Sequence, residues 1–368
     1  MYEVSEQYRA PDPQEFFAVS ANKRNLLNFL CEKWCENEQL VPALGSVRLY
    51  LGDGFKEDTK SVVLADGSIT DVPALESTQH EADMRVILHT LYSVQNEGVE
   101  RVVIHASDTD IIIVCLYYGA TLLNNLPELW VRTAQNAYLP IHEMVVALGT
   151  SQCLAMPFIH SLSGRDTTSY PYFTGKKAWF KSSMNVDTPT LQSFGDNPTD
   201  EVTDDIIKQA RDFTITVYTT AADHFADSDL GKLRTYKFLN NRSTLLKLLP
   251  PTEDAFLLHL KRAALATIID KNAHIAKPRI PSCTDFGWSL NDGKAVPIPS
   301  TQSAWPVLMT KSLSCACVQN CRRNCSCAKK AIPCYVGCRC QGMAATCSRV
   351  QHARTLESSD SGSDGENY

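Results

Sequence analysis

The sequence predicts an α/β fold: a mostly parallel sheet with helices on both faces, then a helical extension and a small cysteine module. Three observations carry this. Between residues 47 and 162, strand-like apolar runs alternate with stretches of helical periodicity. Residues 202–275 read as helical, interrupted at Pro250-Pro251. Nine of the 14 cysteines fall between Cys315 and Cys347.

Residues 1–21 read as a lead-in, and 22–182 as the α/β domain. From Asn22 to Leu40, Leu26, Leu27, Phe29, Leu30 and Trp34 suggest a helix. VRLYLG (47–52) and SVVLA (61–65) read as short strands around the turn Gly52-Asp53-Gly54. Ala82, Val86, Ile87, Leu91 and Val94 recur at helical spacing, and Gly98 ends that helix, placed at roughly 79–97. RVVIHA (101–106) reads as a buried strand. SDTDIIIVCLYYG after it fits helix or strand equally. LWVRT (129–133) is another strand, and helical stretches surround 142–147 and 152–162. Residues 183–275 form a loop and helical extension. Residues 276–312, rich in proline and poor in periodicity, read as a linker. The cysteine module spans 313–350, and 351–368 is an acidic tail expected to be disordered.

Of 368 residues, 44% are hydrophobic and 21% charged, which fits globular domains and excludes wholesale disorder. No run approaches the ~20 apolar residues that span a bilayer. The start has no basic-then-apolar leader, so the expectation is a soluble, intracellular chain with no membrane partner. The net charge of −6 hides a split. From Cys315 to Leu356 there are Arg322, Arg323, Lys329, Lys330, Arg339, Arg349 and Arg354 and no acid, whereas the last residues hold acids and no base.

Three acidic signatures fall at expected strand ends and helix starts: Glu81-Ala82-Asp83, Asp108-Thr109-Asp110 and Gly164-Arg165-Asp166. Carboxylates converging there repel one another unless hard divalent ions such as Mg²⁺ or Mn²⁺ sit between them. Two such ions can activate water for phosphodiester cleavage. On an extended strand end Asp108 and Asp110 point the same way, whereas Glu81 and Asp83 splay apart in mid-helix and converge only at the very first turn, over the helix end. The same residues also fit structural roles. Thr78-Gln79-His80-Glu81 has the capping-box pattern, with Glu81 bonding back; Asp108 suits a helix cap and Asp166 a turn. Spacing alone leaves both readings open.

HEADMRVILH, VVIHASDTDIIIV and LSGRDTTSYPYFTGKKAW, in that order, resemble a PIN-like, flap-endonuclease-like domain of the subgroup found in transposon-related animal proteins. The resemblance covers roughly residues 15–275. It implies Mg²⁺ or Mn²⁺ binding by Glu81, Asp83, Asp108, Asp110 and Asp166, a metal-bound water as nucleophile, and a nucleic-acid substrate, DNA or RNA. It also implies phosphate contact by Lys176 and Lys177, after Gly175; the same lysines fit a solvated helix start equally. Such domains begin with a strand ending in aspartate, and nothing before Asn22 reads as one. Weak or no metal-dependent cleavage is therefore expected. Asp53, at the end of LYLG, is a further candidate ligand.

The module reads C-x-C-x3-C-x3-C-x-C-x6-C-x3-C-x-C-x6-C: Cys315, Cys317, Cys321, Cys325, Cys327, Cys334, Cys338, Cys340 and Cys347. Cysteines one residue apart do not readily bond to each other, but both can reach a metal. Zinc takes four thiolates, so nine serve about three ions if three of them bridge. The metal then supplies folding energy that so short a segment lacks. The pattern resembles the tesmin-type CXC domain and the pre-SET zinc cluster. That resemblance implies DNA binding, with Arg322, Arg323, Lys329, Lys330 and the aromatic Tyr335 as candidate contacts, and a nuclear location. The other reading is a non-catalytic nuclear DNA- or chromatin-binding zinc protein derived from a mobile element. Cys31 and Cys35 share one helix face and read as core. His160-Ser161 lacks a supporting nucleophile motif.

Overall fold

The computed structural model describes residues 4, 12–79, 81–106, 108–171, 174–220, 223–240, 248–302, 314–319, 321–329, 334, 338–343, 346–347 and 349. Within them the chain is α/β with many helices and small sheets. It divides into two units interleaved along the sequence: 1–158 with 191–201 and 264–282, and 159–190 with 202–263 and 283–368. Among the described residues no single helix is long and apolar enough to cross a membrane.

The first unit opens with α1 (Pro13–Phe17), α2 (Ser20–Glu36) and α3 (Leu40–Leu44). Asp12 caps α1 by accepting from the Gln14 amide at 2.7 Å. Cys31, buried on α2, packs with Val41, Leu51, Val62 and Leu64, and Cys35 packs against that group, so this pair is core, as expected. Strands β1 (Leu49–Leu51), β2 (Val62–Ala65) and β3 (Ser68–Asp71) form an antiparallel sheet in that order. The β2–β3 turn is Asp66-Gly67, with φ of 52° and 77°. Two residues at positive φ suit the twist of a tight hairpin.

Helix α4 (Ala82–Glu97) ends at Gly98, whose φ of 64° puts it in the left-handed region. Its start is built differently from the expected capping box. Glu81 is itself the cap position and makes no side-chain cap bond. Buried Arg85 instead donates to the carbonyls of Gln79 (2.7 Å), Asp58 (3.1 Å), Ser77 (3.2 Å) and Gly52. The Gln79 amide donates to Ala273 O at 3.0 Å and Ile275 O at 2.8 Å. Charge and amide together satisfy backbone carbonyls that burial would otherwise strand.

Strand β4 (Arg101–His105), α5 (Thr109–Ala120) and β5 (Glu128–Arg132) form a β–α–β unit with β4 and β5 parallel. From Thr109 onward the ambiguous SDTDIIIVCLYYG is thus helix. Ile111 and every residue from Val114 to Tyr118 are buried, so its polar face is too narrow to show a period. Strand β6 (Tyr138–Pro140) returns antiparallel to β5. Met84, Ile87, Ile104, Ile111, Leu129, Val131 and Ile141 belong to the buried core around this sheet. Helices α6 (Ile141–Leu148) and the first part of α7 (Thr150–Ser163) follow. Where the sequence suggests a mostly parallel sheet, β4–β5 is the parallel pairing among the described strands. The connections β2–β3 and β5–β6 are shorter than the dozen residues a parallel crossover needs. Lys271, with no exposed side-chain surface, ties 191–201 into this unit through Gln192 O (2.5 Å) and Asp196 (3.0 Å).

The second unit holds α8 (Lys176–Ser183), the start of α9 (Pro189–Ser193), α10 (Asp204–Tyr218), α11 (Leu230–Asn240) and the first half of α12 (Glu253–Lys271). Trp179 and Phe213 meet edge to face with centroids 5.7 Å apart. The stretch expected as a linker contains a hairpin, β7 (Trp288–Asn291) with β8 (Lys294–Pro297). Asp292 and Gly293 make its turn at φ of 49° and 75°. Both strands are largely exposed, so no alternation of apolar residues marked them. Asp254 then fixes the following chain by accepting from Ser300 Oγ and the amides of Thr301 and Gln302. The last described helix is the single turn α13 (Ser326–Lys329).

Candidate metal centre

Among the described residues of the cysteine module a single helical turn is the regular structure, and the sulfur atoms are the core. Eight of the nine cysteines are buried and Cys317 is half-buried. Phe238 of α11 and Leu249 pack into the same cluster. Backbone bonds hold the loops in place: Arg339 N to Cys315 O (3.0 Å), Cys325 N to Arg322 O (2.9 Å) and Cys347 N to Met343 O (2.8 Å). Gln341 and Gly342, at φ of 56° and 60°, turn the chain sharply after Cys340.

No two sulfurs are bonded; all 14 cysteines are free thiols. Cys315 Sγ lies 4.0 Å from Cys321, 3.9 Å from Cys334 and 3.9 Å from Cys340. Cys325 to Cys334 is 3.8 Å and Cys327 to Cys338 is 3.5 Å. A zinc tetrahedron with bonds of about 2.3 Å has edges of about 3.8 Å, so these spacings fit shared metal ligands and not disulfides. Three sets of four sulfurs lie within 4.8 Å of one another: Cys315, Cys317, Cys321, Cys325; Cys315, Cys327, Cys334, Cys338; and Cys315, Cys321, Cys334, Cys340. The Cys347 thiol, fully buried, shares hydrogen bonds with those of Cys321 and Cys334. An all-thiolate tetrahedron selects a soft-tolerant ion such as zinc.

Crowded thiols share protons unequally. Burial opposes ionisation of Cys315, but the Cys317 amide and the Cys325, Cys340 and Cys334 thiols outweigh it and bring Cys315 down to about 6. Burial and neighbouring thiols push Cys321, Cys327 and Cys334 up. Metal loading therefore releases protons and strengthens as pH rises. Of the expected nucleic-acid contacts, Arg322, Arg323 and Lys329 are exposed, as is Arg339. Arg349 is half-buried, its Nη1 donating to Cys334 Sγ at 3.8 Å. Lys330 and Tyr335 lie outside the described residues, as does the acidic tail.

The carboxylates take other places. Asp108 caps α5, accepting from the Asp110 amide at 3.0 Å, so both residues sit at a helix start and not on a strand end. Asp110 and Asp83 are half-buried in the first turns of α5 and α4; Glu81 is exposed. Asp83 is close enough to raise the pKa of Cys115 on α5, although burial is the larger cause. Within the first unit Glu81, Asp83, Asp108 and Asp110 do not gather three ligand atoms in the way the thiols do. Asp53 is paired with Arg24 at 3.6 Å. In the second unit Asp166 is exposed in the turn after α7, closed by Thr168 N to Arg165 O at 2.9 Å. Lys176 and Lys177 are exposed in the first turn of α8, with Lys176 Nζ 3.3 Å from His160 Nε2.

Comparison with protein-family models, with curated proteins and with solved structures yields no match.

Proposed function

We propose that this chain is a nuclear, zinc-dependent nucleic-acid-binding protein of the tesmin-like kind, with a PIN-like α/β domain joined in sequence to the zinc module. The observation that carries the reading is the packing of thiols at tetrahedral spacing beneath exposed Arg322, Arg323, Lys329 and Arg339. Replacing Cys315 by Cys347 in the third set gives each of three zinc ions four ligands. Cys315, Cys321 and Cys334 then bridge, and the other six are terminal. Nine thiolates on three dications leave three negative charges, which the seven bases of 315–356 exceed by four. The module is thus a cation toward phosphates, and DNA is its expected partner.

The test is metal content and DNA affinity of the purified chain. Three zinc ions per chain, with DNA binding lost on chelation and regained on zinc addition, is the expected result. A chain that carries no zinc, or binds DNA equally well without it, sinks the proposal.

The second reading, a flap-endonuclease-like nuclease, rests on Asp83 and Asp110 in the first turns of neighbouring helices that share one core. Because Glu81, Asp83, Asp108 and Asp110 form no ligand group among the described residues, we derive no step through Mg²⁺ or Mn²⁺. Cleavage dependent on Mn²⁺ and abolished by Asp110→Ala would establish this reading over the non-catalytic one.

A further inference from the structure

Ser169 and His259 stand 90 residues apart and meet in the second unit. Ser169 is exposed at the end of the Gly164–Thr168 turn, while His259 is buried on α12, 8% exposed. Ser169 Oγ is 2.8 Å from His259 Nδ1, and His259 Nε2 is 2.9 Å from the Leu162 carbonyl oxygen. A carbonyl can only accept, so Nε2 carries the proton and Nδ1 is the bare nitrogen. The Ser169 hydroxyl therefore donates to Nδ1. Arg262, on the same face of α12, brings Nη2 to 3.4 Å from that hydroxyl oxygen, and its Nη1 donates to Gly287 O at 3.2 Å.

The turn that carries the serine is fixed. Gly164 has φ of 103°, and a Cβ there would stand 2.2 Å from Tyr170 Cβ, so glycine is required. Thr168 Oγ1 accepts from Arg165 N at 3.0 Å and lies 3.3 Å from the Ser161 carbonyl. Burial holds the His259 pKa down to about 4; the Leu162 bond opposes this and the Arg262 charge adds to it. The imidazole is thus neutral, with Nδ1 free to accept, throughout the neutral range.

The geometry points to Ser169 as a nucleophilic serine with His259 as its base, reactive toward acyl esters and other activated electrophiles. Neither the thiols nor the carboxylates take part, so this goes beyond the zinc and nucleic-acid reading. Ser169 Oγ would bond to the acyl carbon as its proton passes to Nδ1. The ester C–O bond then breaks, and the leaving alkoxide takes the proton from the imidazolium. Water hydrolyses the acyl-serine by the same proton route. The Leu162 carbonyl holds the ring tautomer, the task an acid performs in a Ser-His-Asp triad. Arg262 faces the oxygen and favours its ionised form. A ring of such low basicity is a slow catalyst, so a covalent adduct is a more sensitive readout than turnover.

The test treats the full, zinc-loaded chain with a fluorophosphonate probe and locates the adduct by peptide mass spectrometry. The expected result is an adduct on Ser169 that is absent in Ser169→Ala and slowed about 100-fold in His259→Gln. Prior unfolding in urea should abolish it, a comparison that needs no variant and stands even if His259→Gln does not fold. No adduct on Ser169, equal labelling in folded and unfolded chain, or wild-type labelling in a folded His259→Gln each overturns the proposal.

Discussion

Single residues here do what their surroundings allow. His259 shows it in its protonation. Its pKa falls from the ordinary 6.5 to about 4 in the fold, so the unfolded chain binds the proton first as pH drops. Stability from the neutral ring is complete above about pH 6.5 and is lost as pH falls toward 4. The difference corresponds to roughly 3 kcal/mol. Urea melts of wild type and His259→Gln between pH 7 and pH 4 check this, the variant showing a markedly shallower pH slope. Under the proposed function the cysteines differ by how many ions they would serve. On the proposed ligand sets Cys334→Ser disturbs two zinc ions, whereas Cys340→Ser disturbs one. Native mass spectrometry should therefore find Cys334→Ser short of more zinc than Cys340→Ser, and equal losses would refute the bridging role.

Elements show where local chemistry wins over pattern. Asp108 was open to two readings, and the structure uses it as the cap of α5. Asp108→Ala should lower stability by about 1 kcal/mol, and Asp108→Asn much less, since asparagine caps nearly as well. Thermal denaturation in the absence of divalent ions isolates that effect from any metal role. The two hairpins are instructive in another way. Asp66-Gly67 and Asp292-Gly293 are the dipeptides that tight hairpin turns prefer, and both were present to be read. Pattern does not mark these hairpins, because the flanking strands lack apolar alternation: β3 and β8 are exposed at every residue. Gly293→Val, forcing a branched residue to φ near 75°, should open β7–β8, seen as faster amide exchange at residues 288–297.

At the scale of the whole molecule, the proposed function makes metal and charge set the behaviour. Phe238 and Leu249 share a cluster with the cysteines, so zinc is expected to order more than its own loop. Chelation should speed hydrogen exchange in the module and at the end of α11, while α4 and α5, in the other unit, keep their protection. If α11 exchanges equally with and without zinc, its packing does not depend on the metal. On the proposed DNA-binding role, affinity should fall steeply with salt, and Arg322→Gln with Arg323→Gln should flatten that dependence by about two in log–log slope if both meet phosphates.

By itself the sequence determined the parts whose information is local. Cysteine spacing marked the module because ligands to one ion must be close in chain or repeat in a short segment. Helical periodicity and Gly98 marked α4, and the apolar runs marked β2, β4 and β5. Only the tertiary structure decided what depends on contacts between distant residues. It mixed antiparallel pairs into an expected parallel sheet, assigned Asp108 to a cap, and gathered Cys315 with Cys334 and Cys340. It also brought Ser169 to His259, a pairing with no trace in either residue's neighbours along the chain. The physical reason is that spacing and periodicity report which side of a segment is apolar. They do not report which distant backbone carbonyl, charge or thiol will complete it once the chain is packed.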